Sequence, residues 1–145
     1  MLSDDGVGIY LAKSIQKKLT DIDVQTTLLA GLNLLDLIVG YDVLFVVDAS
    51  FASDENNIGK LRTYGQGNTP VHLFSSHGFD FFEIVELGNS LKLNMPKLGA
   101  IYGIEISKQL CFSTTFSDVI SEQILELENQ IISDIQDRIS SFQTT

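Results

Sequence analysis

Three short segments of this chain each lead into a side chain able to bind a metal. Ser3-Asp4-Asp5-Gly6-Val7-Gly8 stands at the start, Leu44-Phe45-Val46-Val47-Asp48-Ala49 in the middle and Leu73-Phe74-Ser75-Ser76-His77-Gly78 beyond it. The middle one constrains the fold most. Val43 to Val47 is uninterrupted and apolar, the pattern of a strand buried on both faces of a parallel sheet. In an open parallel sheet, ligands sit in the crevice outside the carboxyl ends of the strands, where residues far apart in sequence converge. Two carboxylates and one imidazole would then share a site.

The length of 145 residues suits one domain with a respectable core. Hydrophobic residues make up 44% and mean hydropathy is +0.18, yet no apolar stretch approaches the ~20 residues of a membrane helix, so no membrane insertion is expected. The start carries two acids in place of a basic region and an apolar core, which is not the pattern of a secretory signal. A single Cys excludes an internal disulfide, and a cytoplasmic location is the default. Nine Lys plus Arg against nineteen Asp plus Glu leave a net charge of -10. The lysines form no stripe beyond Lys13, Lys17 and Lys18, so nucleic acid is not an expected partner. Acidity of this size favours cations and basic surfaces, although a solvated acidic exterior is its commoner meaning.

Along the chain the periodicity alternates between helical and extended, without repeats or a low-complexity linker, and so predicts an α/β fold: a three-layer sandwich with a central, mostly parallel twisted sheet and helices on both faces. A first helix is expected from near Gly6, with Leu11, Ile15 and Leu19 on one face and Asp4 or Asp5 capping its positively polarised start. Val24 to Leu28 alternates as a short strand. Gly31 to Val39 reads as a helix closed by Gly40, and Val43 to Val47 as the buried strand. Ser53 to Gly67 is polar and glycine-rich, with Lys60 to Tyr64 a short or edge strand. Val71 to Phe74 is a further strand candidate, followed by a helix from about Phe79 to Leu91 and a strand from Leu98 to Ile106. The last helix carries Ile120, Ile124, Leu127, Ile131, Ile135, Ile139 and Phe142 at helical spacing, a stripe that must pack on something.

Asp4-Asp5-Gly6 has the character of a turn that follows a strand, yet only Met1, Leu2 and Ser3 precede it. Loss of an internal first strand would leave unpaired backbone groups on its neighbours. The pattern predicts a truncated start, or else another segment or chain in that slot. N-terminal sequencing of native protein checks this.

Taken together, the stretches resemble the hydrogenase maturation endopeptidases, which remove the C-terminal extension from the large subunit of nickel-iron hydrogenases. The likeness rests on Asp4-Asp5-Gly6-Val7-Gly8, on Tyr41 to Ala49 and on Ser75-Ser76-His77-Gly78, with weaker agreement at Gly103-Ile104-Glu105 and in the amphipathic C-terminal helix. It spans residues 1–145 as one domain lacking the usual first strand. The resemblance implies that Asp5, Asp48 and His77 are both the metal ligands and the catalytic residues. It also implies a nickel-iron hydrogenase large-subunit precursor as partner, and nickel supplied by that precursor as recognition element, with zinc or cadmium able to substitute in vitro. The family's Asp-Gly-Gly-Thr-like turn appears here as Thr26-Thr27-Leu28-Leu29, followed by matching Ala30-Gly31, a departure that touches the substrate cleft.

The chemistry is compatible. Carboxylate and imidazole suit nickel, zinc, iron or manganese, and three protein ligands leave positions open for water or a substrate group. Each residue also has a structural explanation: Asp4 and Asp5 as helix caps, Asp48 as a turn residue, His77 as a loop histidine. His72 reads as structural or surface, and Cys111 as a small buried hydrophobe. Ser75 and Ser76 lack the Gly-x-Ser-x-Gly turn of a serine nucleophile. Gly6 and Gly8 lack the third glycine of a dinucleotide fingerprint, whose place Leu11 takes. Two alternatives stay open. A two-component receiver domain places acids similarly but requires a hydroxyl residue and a lysine on later strands to grip phosphoryl oxygens, and the late strand has no lysine after Gly103. A noncatalytic relative would bind the hydrogenase precursor without cutting it.

Overall fold

The computed structural model describes residues 3–28, 31–65, 81–109 and 112–144. The chain enters through a 3-10 turn, Asp4–Gly6, that runs straight into helix α1, Val7–Lys18. Val7, Leu11 and Ile15 repeat at intervals of four and are buried as one stripe. Lys17 and Lys18 lie in the last turn, where positive charge complements the helix dipole. Gly31–Leu34 forms a second 3-10 turn, and helix α2 is the single turn Leu35–Ile38. Gly40, with φ +94, then turns the chain through a conformation that L side chains rarely adopt.

Strand β1, Val43–Phe51, pairs in parallel with β3, Lys97–Ile106, placing Asp48 beside Gly103 and Ser50 beside Glu105. Strand β2, Leu61–Tyr64, runs antiparallel on the other side of β3 and puts Arg62 beside Gly103 as well. The strand order is β1-β3-β2, so β3 is central among the described strands. Helix α3, Phe81–Ser90, precedes β3 and helix α4, Asp118–Gln143, follows it.

Alternation along the strands sorts the core into two layers. Ala100, Tyr102, Ile104 and Ile106 pack with Phe45, Val47 and Ala49 under α1 and α4, joined by Ile120, Leu127, Ile131 and Ile135. Ile101 packs on the opposite face with Leu44 and Val46, under Leu35 and Ile38 of α2 and Phe81 and Ile84 of α3. This is the expected α/β sandwich, with helices on both faces of a twisted sheet.

Several local expectations change. Val24 to Leu28 forms no strand of the described sheet; alternation alone does not make a strand, and Leu28 is left exposed. The helix expected over Gly31 to Val39 divides into a 3-10 turn and one α turn. β1 continues four residues past Val47 and is half-buried for most of its length. Phe142, the end of the C-terminal stripe, is exposed. The strand candidate Val71 to Phe74, with His72, Ser75, Ser76, His77 and Cys111, lies outside the described residues.

Candidate functional site at the carboxyl end of the sheet

Gly8 decides how the first acidic turn meets the sheet. A Cβ at this position would stand 2.8 Å from Asp48 Cα and 2.8 Å from the Val47 carbonyl oxygen. Only glycine lets the α1 backbone lie directly on β1 at this depth. The packing carries the turn holding Asp5 to the end of β1 that holds Asp48, close enough for the charge of Asp5 to act on the Asp48 carboxyl. Two of the three sequence-predicted residues, Asp5 and Asp48, therefore share one end of the sheet; His77 lies outside the described residues.

The two acids differ in setting. Asp5 is exposed, while Asp48 is largely withdrawn from water and accepts a 2.9 Å hydrogen bond at Oδ1 from the Ala49 backbone N–H. Burial pushes the Asp48 carboxyl up to about 6; the Ala49 N–H pulls it partly back and the Asp5 charge adds to the rise. A carboxyl that exchanges its proton near neutrality, beside a second carboxylate, offers hard oxygen donors to a divalent cation or a proton to a reacting group. No group of three His, Cys, Asp or Glu side chains within metal-holding distance occurs among the described residues.

Asp4 has a different task from its neighbour. Its carboxylate is buried, accepting from Ser117 N–H at Oδ1 (2.8 Å) and from Ser117 Oγ at Oδ2 (2.7 Å). It ties the entry turn to the start of α4 and does not cap α1, whose N-cap is Gly6 with no side-chain bond. The distant partner wins because two donors at the positive end of a 26-residue helix outweigh one at its own helix start.

Sequence reasoning passed over a second polar feature of this face. Asp48, Gly103 and Arg62 form one lateral row across the three strands, and Ser50 and Glu105 the next. By strand alternation all project to the α2 and α3 side. Glu105 is buried and forms a 3.0 Å ion pair with Arg62 Nε, and Ser50 Oγ is enclosed without a hydrogen-bond partner among the described residues. The only sequence signal was an acid ending an otherwise apolar strand, Gly103-Ile104-Glu105. Its cation sits more than forty positions earlier in the chain and is brought beside it by antiparallel pairing.

With this geometry in place, comparison with known proteins gives one clear likeness. The fold is similar to that of the hydrogenase maturating endopeptidase HybD from E. coli. The match has a TM-score of 0.71 at 17% sequence identity and covers 94% of this chain and 86% of that one. At that identity the likeness is one of fold. No protein-family model matches the sequence, and no curated protein matches it. Among the described residues, no helix is long and apolar enough to cross a membrane.

Proposed function

We propose that this chain is a cytoplasmic endopeptidase of the hydrogenase maturation type. It would remove the C-terminal extension of a nickel-iron hydrogenase large-subunit precursor, with the precursor's own nickel as the recognition element. The observation that carries the reading is the approach of the turn holding Asp5 to the carboxyl-terminal half of β1 holding Asp48, made possible by Gly8, in a fold similar to that of HybD. Asp48 and Asp5 supply oxygen donors to the incoming metal and His77 a nitrogen donor, which leaves positions open for the peptide. The metal, when bound, polarises the scissile carbonyl or acidifies a water. In the metal-free chain the Asp48 carboxyl is pushed up to about 6, about one unit below neutral pH, so it is largely ionised and ready to take up the metal.

The receiver alternative fits less well, since a doubly wound receiver sheet is parallel, whereas β2 here runs antiparallel to β3 and β3 carries no lysine after Gly103. The test is incubation with nickel-loaded and nickel-free precursor. Loss of a short C-terminal peptide from the loaded form alone is expected, and equal cutting of both forms would exclude metal-gated recognition. Asp5→Ala, Asp48→Ala and His77→Ala should each abolish cutting while the thermal unfolding transition stays cooperative. A wild-type rate in any of them removes that residue from the site.

A further inference from the structure

Among the described residues, Arg62 is committed through one of its nitrogens. Its Nε pairs with Glu105, whose side chain is 4% exposed, while the arginine side chain itself is 47% exposed. Among the described residues, no hydrogen bond engages its two terminal nitrogens. A guanidinium is planar and its donors are fixed relative to one another. Locking Nε onto a buried carboxylate therefore aims the free edge of the fork outward at a set angle.

That free edge occupies a defined place. Arg62 and Asp48 flank Gly103 in the same lateral row of the sheet, and Gly103 contributes no side chain of its own at the central position. Two strand spacings separate the two backbones, roughly 9.6 Å. An extended peptide rises about 3.3 Å per residue, so about three residues laid across the row span from one to the other. One end of the row carries an acid suited to the reacting centre; the other carries a pre-aimed donor pair.

We propose that Arg62 is the substrate-anchoring side chain of this crevice. It grips a backbone carbonyl of the extended peptide about three residues from the bond at Asp48, and Glu105 is the positioning residue that holds it there. The assignment rests on the peptide-cleaving reading above for the nature of the ligand. A purely structural ion pair would need only Nε, and any cation at position 62 would satisfy Glu105.

The experiment measures the affinity of nickel-loaded large-subunit precursor for the wild-type chain, for Arg62→Lys and for the double variant Arg62→Gln/Glu105→Gln, alongside cleavage at saturating precursor. Arg62→Lys keeps a cation for Glu105 but loses the fork. The double variant replaces the ion pair by a neutral one, so that no buried charge is stranded. Both should weaken binding about tenfold, with cleavage at saturation within about twofold of wild type and unfolding transitions close to it, about tenfold being the loss typical of one charge-assisted hydrogen bond. Wild-type affinity in both variants overturns the assignment, as does failure of the wild-type chain to bind the precursor. A wild-type chain that binds but does not cut would sink the peptidase reading alone, because the affinities still decide the role of Arg62.

Discussion

Asp48 and Gly8 are a coupled pair: the absence of a side chain at one lets the α1 backbone rest on the backbone of the other. Adding a methyl at Gly8 would press on backbone at two points, 2.8 Å from each, and backbone cannot swing aside as a side-chain tip can. Gly8→Ala should therefore lower stability by about 1–3 kcal/mol, read by urea denaturation, and should reduce precursor cleavage as the acidic turn is lifted from β1. The pH dependence of Asp48 has a definite sign. Its folded value of about 6 lies above the ordinary 3.8, so between those limits the folded chain keeps a proton that the unfolded chain has released. The resulting contribution is fully present below about pH 4 and is lost as pH rises through 6. Asp48→Asn should flatten that decline and raise stability at pH 7 by up to ~3 kcal/mol, while ending cleavage. Denaturation profiles at pH 4 and pH 7 that run parallel in variant and wild type would contradict this.

Among the elements, α4 is held at both ends by polar contacts that periodicity could not reveal. At its start Asp4 receives two hydrogen bonds from Ser117. Further along, the Tyr102 hydroxyl donates to Asp134 (2.8 Å), which also receives Arg138 Nε, and Arg138 donates to the Gly99 carbonyl. Burial and the carboxylate acceptor push the Tyr102 hydroxyl above its ordinary range, so it stays a donor at any physiological pH. Asp4→Asn should cost about 2 kcal/mol. In a double-mutant cycle with Ser117→Ala the two losses should fall short of adding, by about 1 kcal/mol or more; strict additivity would separate the two residues energetically. Tyr102→Phe should cost about 1 kcal/mol in the same denaturation assay without altering cleavage, since the hydroxyl faces α4 and not the crevice. The expected strand at Val24 to Leu28 shows the opposite limit of local pattern: its alternation is real, but alternation alone does not make a strand.

For the molecule as a whole, β3 is the wall between two cores. Ile104 belongs to the layer under α1 and α4, and Ile101 to the layer under α2 and α3. Ile101→Val and Ile104→Val should each cost about 0.5–1.5 kcal/mol, and their sum should hold within about 0.5 kcal/mol in the double variant. A larger deviation in thermal or urea unfolding would mean that the two layers act as one through the sheet. Much of this architecture was legible in the chain. The unbroken apolar run into Asp48, the four-residue spacing of Leu11, Ile15 and Leu19 and the isoleucine stripe of α4 specify strand and helix through their own periods, because side-chain direction follows backbone geometry locally. Asp5 and Asp48 were legible as candidates for the same reason, as acids at element ends. Three things were decided only by the packed chain: that Gly8 lets helix and strand backbones touch, that Asp4 and Asp5 turn to different partners, and that Arg62 meets Glu105 across the row beside Asp48. Each depends on a neighbour more than thirty residues away. Which groups meet at that range is set by how the layers stack and where β2 pairs, and no local period in the sequence records it.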